Sequence, residues 1–120
     1  MNRKIKFRGK SLNTGLWSYG DLRQDNIRRK AYVEYEVDPE TIGQLTGLTD
    51  CKGKEIYEGD IIESRGFRHI VEYDAKQARF SAKNINRPRD DGSSITQQWI
   101  DECEKVVIGN IYDNPEIIKI

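Results

Sequence analysis

Histidine occurs once in the 120 residues, methionine once, cysteine twice and proline three times. With His69 alone, a Ser-His-Asp triad or a histidine-based zinc site would have to recruit its other members from scattered residues without recognisable spacing. Cys51 and Cys103 are too few for a disulfide scaffold, and neither lies in a CxxC pair or beside a histidine. Both read as reduced thiols, Cys51 in an exposed polar turn and Cys103 in a part-buried structural position. No apolar run approaches the roughly 18 residues of a membrane span, and residues 1–8 lack the apolar stretch of a signal peptide. The expected location is therefore the cytoplasm, with no membrane partner. P-loop, GxSxG and HExxH patterns are missing, so no cofactor and no metal are expected.

Net charge is also missing, since 20 Lys+Arg balance 20 Asp+Glu, but the balance hides an asymmetry. Residues 1–30 carry nine Lys/Arg and two Asp/Glu, a net of +7, whereas residues 31–120 carry eleven and eighteen, a net of −7. Arg3, Lys4, Lys6, Arg8, Arg28, Arg29 and Lys30 are the candidate binding residues of this basic segment, either for nucleic acid or for an acidic partner. The plainer alternative is that the basic segment pairs with acidic strands of its own chain, and it is favoured because dedicated nucleic-acid domains usually carry an overall basic excess.

What is present is a series of short strands separated by turn chemistry. Ile5 and Phe7 alternate with Lys4, Lys6 and Arg8, which predicts a strand over 3–9 with Phe7 toward the core and the charges toward water. Lys10–Gly15 is a turn, and Leu16–Gly20 resumes an aromatic strand to complete a hairpin. Asp21–Lys30 is polar apart from Ile27 and reads as a basic loop; Tyr32–Val37 reads as one strand. Asp38-Pro39 caps a short turn before a bent strand over 42–48. Asp50-Cys51-Lys52-Gly53 fits a type I turn ending in a left-handed glycine, hence a hairpin. Glu58-Gly59-Asp60 turns tightly into the apolar Ile61-Ile62.

Strands over 69–73 and 78–82 flank a four-residue loop, and 84–94 is a polar loop. Ile95, Trp99 and Cys103 recur at four-residue spacing on one or two helical turns within 95–104. A buried strand over 105–111 and a docking apolar tail over 116–120 complete the chain. The expected fold is mainly β, verging on α+β: a small SH3-like barrel or β-roll of short antiparallel strands with one short helix near 95–104. Its core would include Ile56, Ile61, Ile70, Val71, Phe80, Val107 and Ile108. One domain is expected, with residues 1–40 forming the hairpin and basic loop and 41–120 a barrel-like core.

Several of these stretches, in this order, carry a resemblance that spans nearly the whole chain. They are Ile5–Lys10, Trp17–Leu22, Asp38–Asp50, Gly53–Ile62 and Val107–Glu116. Together they resemble the YopX family of small phage and prophage proteins of Gram-positive bacteria. Cys51 departs from the polar residue more usual at its turn position, and residues 84–94 match nothing in the family. The resemblance implies phage origin, residence in a bacterial host cell and a small mainly β or α+β domain. It carries over no catalytic residue.

Three function classes remain. Asp50, Glu55, Glu58, Asp60 and Glu63 are the titratable candidates for acid–base chemistry, but carboxylates beside turn glycines are expected there for local hydrogen bonding alone. The expectation is no enzyme. Nucleic-acid binding would use the basic residues with Phe7, Trp17 and Tyr19 as stacking surfaces, yet Phe7 falls on the opposite face from its basic neighbours. The leading reading is a non-enzymatic accessory module that binds a protein partner, or a second copy of itself as a homo-oligomer, through strand edges and exposed loops.

Overall fold

Turns rich in Asp, Asn and Gly break the chain into twelve short strands that pair antiparallel, with one short helix, in a computed structural model that describes residues 4–86 and 92–118. This is the mainly-β architecture expected; among the described residues no sheet closes into a barrel. The backbone divides into two compact units, Met1–Gly47 and Leu48–Ile120.

In the first unit, β1 (Phe7–Lys10) and β2 (Trp17–Gly20) form the expected hairpin, with Phe7 opposite Gly20 and Lys10 opposite Trp17. The strand starts later than the alternation suggested, and Ile5 is exposed. Residues 21–30 are not a loop. Leu22–Asp25 forms β3 and pairs with β4 (Lys30–Val33), leaving only residues 26–29 as the turn. Asp25 Oδ1 accepts the backbone N–H groups of Ile27 and Arg28, both at 3.1 Å, and Arg29 takes a φ of 56°. A carboxylate thus supplies the reversal that a glycine would ordinarily signal.

The single strand expected over 32–37 is two. The chain reverses at Glu34, which has a φ of 66°, and β5 (Tyr35–Val37) folds back on β4 with Val33 opposite Tyr35 and Ala31 opposite Val37. That register brings Ala31, Val33 and Val37 together as a buried cluster, against which Phe7, Leu22 and Ile42 pack. Asp38 caps the short 3-10 turn Pro39–Thr41 as expected, accepting the Glu40 N–H at 3.0 Å. β6 (Gly43–Thr49) then pairs with β1 through Gly43 and Gln44. Gly9 is glycine because Val37 lies against it: an added Cβ would sit 2.9 Å from a Val37 methyl.

In the second unit, the Asp50 turn forms as expected, with the Gly53 N–H on the Asp50 carbonyl at 2.9 Å and Gly53 at a φ of 84°. It leads into β7 (Glu55–Tyr57), and Glu58-Gly59 turns the chain into β8 (Asp60–Ser64). β9 (Phe67–Asp74), β10 (Arg79–Asn84), β11 (Ser93–Ser94) and β12 (Val106–Asn110) build a five-stranded sheet in the order β11-β10-β9-β8-β12. Ile56, Ile62, Val71 and Ile100 form its buried cluster, joined by Leu48, Ile95, Trp99 and Val107. Of the expected core residues, Ile56, Ile61 and Val71 are fully buried, while Ile70, Phe80, Val107 and Ile108 are half-buried.

The helix α1 covers Gln97–Asp101, capped by the Thr96 hydroxyl on the Trp99 N–H at 3.0 Å. The expected stripe of Ile95, Trp99 and Cys103 fails at its last member. The helix ends at Glu102, and Cys103 and Glu104 take φ values of 60° and 49°, which turns Cys103 into solvent. Ile100 is the fully buried residue of the helix instead. The chain's tail forms a 3-10 turn over Pro115–Ile118, and Arg68 donates to the Ile117 carbonyl at 3.3 Å; residues 119 and 120 lie outside the described residues.

Candidate functional site

Two groups emerge from the candidate basic residues, and Arg3 lies outside the described residues. The first group sits on the β1–β2 hairpin. Side chains alternate along a strand, so Lys6, Arg8 and Lys10 share one face, and the register puts Tyr19 opposite Arg8 and Trp17 opposite Lys10 on that same face. Arg8 lies 4.5 Å from the centre of the Trp17 ring, Lys10 is 5.5 Å from it, and Lys6 is 5.5 Å from the Tyr19 ring. Arg8 is buried, contrary to the expectation that it faces water, because the indole covers its guanidinium. Trp17 and Tyr19 therefore face the cations, while Phe7 goes to the apolar cluster. Lys4 is exposed.

Arg28, Arg29 and Lys30 form the second group, all exposed at the tip of the β3–β4 hairpin. Beside them Ile27 is 95% exposed. The tip is held in shape by Asp25, whose carboxylate also faces Arg28 Nε at 3.9 Å. At the base of the same hairpin, Arg23 stacks on the Tyr32 ring at 4.2 Å. Ile27 stands out in the sequence only as the lone apolar residue of a polar stretch, and Asp25 does not stand out at all. Asp-Asn before a lone apolar residue was their only signal.

Of the carboxylates considered for acid–base work, Asp50, Asp60 and Glu63 are held by structural partners. Asp50 is buried, and its Oδ1 accepts the N–H groups of Lys52 and Lys54 at 2.9 Å each, while Oδ2 accepts that of Val107 at 3.0 Å. Burial alone would raise its pKa, but these three hydrogen bonds, with the nearby Lys54 charge, hold it below the ordinary 3.8. Asp60 Oδ2 accepts the Tyr57 N–H at 2.7 Å, and Glu63 binds Arg68 Nε at 2.7 Å. Glu55 and Glu58 are half-buried.

An open cleft of about 510 Å³ is lined by Glu63, Ser64, Arg65, Cys103, Glu104 and Val106. Within it the Ser64 hydroxyl donates to the Cys103 carbonyl at 2.5 Å.

His69 is half-buried, its Nδ1 has no hydrogen-bond partner among the described residues, and its ring meets Trp99 edge-on at 5.2 Å. Lys105 approaches that same indole at 4.3 Å, and its ammonium donates to the carbonyls of Trp99 at 2.8 Å and Glu102 at 2.9 Å. Burial, and then the Lys105 charge, hold the imidazole pKa below the ordinary 6.5.

These features sit on a chain whose kinship is defined by comparison. The family model described as YopX protein matches residues 6–119. The chain belongs to the YopX family. The fold of this YopX chain is also similar to the crystal structure of protein EF1440 from Enterococcus faecalis. That similarity has a TM-score of 0.68 at 22% identity and covers 98% of this chain and 100% of that one. No curated protein matches this YopX chain. No helix among its described residues is long and apolar enough to cross a membrane.

Proposed function

We propose that the chain is a non-enzymatic interaction module, a phage or prophage accessory protein of the bacterial cytoplasm that binds a protein partner or a second copy of itself. The observation that carries this reading is where the first unit places most of its exposed large apolar side chains, Ile5 and Tyr19 lying apart from the rest. Leu12 and Leu16 flank the β1–β2 turn, Ile27 crowns the β3–β4 turn and Tyr35 follows the β4–β5 reversal; they are 57%, 70%, 95% and 61% exposed. Scattered apolar residues are ordinary on a surface, but a set concentrated on successive turns presents anchors for another protein. Membership of the YopX family supports the phage setting. The commitment of Asp50 and Asp60 to backbone N–H groups supports a structural role for the carboxylates in place of catalysis.

Nucleic-acid binding is the second reading, favoured by the cationic and aromatic face of β1 and β2. The stacking that defines this face also weighs against it. Arg8 and Lys10 already lie over Trp17, and Lys6 lies over Tyr19, so bases would have to displace the chain's own cations to reach the rings.

A photo-crosslinking amino acid placed at Leu16 or Ile27, with Lys76 as a surface control, tests the proposal in bacteria carrying the protein. Position-specific adducts to protein from Leu16 and Ile27 are expected. Adducts to nucleic acid alone, or the same pattern from Lys76, would refute it.

A further inference from the structure

Resting on the interaction-module reading, we infer that the outer edge of β3 is a self-association edge: two copies pair antiparallel through it about a two-fold axis, with Gln24 opposite Gln24 and Arg23 opposite Asp25 of the second copy. β3 ends one side of the three-stranded sheet β3-β4-β5. The other side is occupied. Ser11 bridges Val37 along β5, the Leu12 N–H donates to the Glu36 carbonyl at 3.1 Å, and the Asp38 N–H donates to the Lys10 carbonyl at 2.9 Å. β3 pairs with β4 alone, so among the described residues its outer N–H and C=O groups meet no other strand. Arg23 and Gln24 are exposed there.

The usual protections of an open edge are few here. The strand holds no Lys or Pro, and its register with β4 runs through four consecutive pairs, from Leu22 opposite Val33 to Asp25 opposite Lys30, without a bulge. The turn beyond it is fixed by the two hydrogen bonds that Asp25 accepts from Ile27 and Arg28, so the strand end is preformed and loses little conformational entropy on pairing.

Charge complementarity identifies the occupant. A continued sheet keeps the face carrying Leu22, which packs on the Ala31, Val33 and Val37 cluster, on the same side in both copies. Side-chain alternation then allows two registers that pair three residues of β3 in each copy, one centred on Arg23 and one on Gln24. The first sets Arg23 against Arg23, and like charges directly opposite each other destabilise a strand pair. The second sets Arg23 against Asp25 twice, once on each side of the axis. Both groups can serve it. Arg23 lies over the Tyr32 ring at 4.2 Å, a contact that leaves guanidinium N–H donors to spare. Asp25 uses Oδ1 for the turn amides, while its Oδ2 lies 3.9 Å from Arg28 Nε, beyond hydrogen-bond length. A strand that is its own charge complement fits a second copy, and the product is a six-stranded sheet, β5-β4-β3-β3-β4-β5, with an isologous contact. Three residues a side make a small contact of the transient class.

Sedimentation velocity of the full chain over concentrations reaching about 1 mM tests the inference. Concentration-dependent dimer formation is expected. Arg23→Asp opposes carboxylates at both pairs and should weaken the dimer by about tenfold or more; Asp25→Lys should do the same by opposing cations. Mixing the two variants makes both pairs attractive, so unlike copies should associate where neither variant does alone. Circular dichroism checks that both fold. Because Asp25 also shapes the turn, a second probe leaves it in place: Gln24→Cys combined with Cys51→Ser and Cys103→Ser. Directly opposed residues of a strand pair have Cα atoms about 4.5–5.5 Å apart, within the span of a disulfide. Oxidised glutathione should therefore link two copies through position 24, and not through Lys76→Cys in the same background.

A monomer throughout the concentration range overturns the inference and leaves the interaction-module reading standing with a different protein partner. A dimer that survives Arg23→Asp and gives no link from position 24 also overturns it, placing self-association elsewhere on the module. A monomer whose photo-crosslinkers at Leu16 and Ile27 capture no protein in bacteria overturns both.

Discussion

Replacing Asp50 with alanine removes the acceptor of three backbone N–H groups at once, and their surroundings set the size of the effect. The Lys52 and Lys54 amides belong to an exposed turn, so water can replace the carboxylate there and each loss costs about 0.5–1 kcal/mol. The Val107 amide lies near the start of β12 at a half-buried position, and losing a charged acceptor there costs about 1.5–3 kcal/mol. Together the expected loss is about 3 kcal/mol, a shift of roughly 10 °C in melting temperature for a chain of this size. Asp50→Asn keeps one acceptor oxygen for the turn but turns an amino group toward the Val107 N–H, so roughly half the loss is expected. The pH dependence has a definite sign. Because the folded-state pKa lies below 3.8, the carboxylate's contribution is fully present above that value and is lost as pH falls through the depressed folded pKa. Thermal melts by circular dichroism at neutral pH and near pH 3 measure both effects. A variant within about 0.5 kcal/mol of the parent at neutral pH would refute the argument, since that is the range of uninvolved surface positions.

Gly53→Val places a β-branched residue at a φ of 84° and should cost about 1–3 kcal/mol; an unchanged denaturant midpoint would refute the left-handed turn. Gly9→Ala drives a methyl to 2.9 Å from Val37 and should cost about 1–3 kcal/mol by overpacking, visible as a lower melting temperature. For His69 the folded state favours the neutral imidazole, so stability should be full above about pH 6.5 and decline as pH falls from there toward the lower folded pKa. His69→Phe should flatten that decline in melts across pH 5–8, and an equally steep decline in the variant would assign it to other groups.

The parts of the fold legible in the sequence are those whose turns announce themselves through glycine, proline or aspartate. The Asp50–Gly53 turn, the Asp38-Pro39 cap and the Glu58-Gly59 turn all form because a single residue type supplies the required φ or the local acceptor. The reversals at Arg29 and Glu34 were hidden, since both are ordinary residues held at positive φ by their surroundings. Asp25 and the packing of Ala31, Val33 and Val37 make those surroundings. For the same reason the buried cluster of Ala31, Val33 and Val37 is not legible in the sequence, although Phe7, which packs against it, is expected in the core, because the cluster's members face one another only after the chain folds back at Glu34. Cys103 was misplaced because four-residue periodicity assumes a helix that continues, and this one ends at Glu102. The basic residues were recognisable as candidates, but only coordinates separate those stacked on Trp17 and Tyr19 from those at the Ile27 tip.

The pairing of β8 with β12 sets a timetable for folding. Most strand pairs here join neighbours in the chain, such as β3 with β4 or β9 with β10, and can close within a few residues of synthesis. Asp60 instead pairs with Asn110, so the five-stranded sheet cannot be finished until almost the whole chain has emerged. Closing that long segment costs more chain entropy than any hairpin, which makes it a late and slow event. Until β12 arrives, the edge of β8 that will receive it stays open to other strands, and Asp50 waits without its Val107 amide. A nascent chain arrested before Val106 should therefore be the form most prone to aggregate.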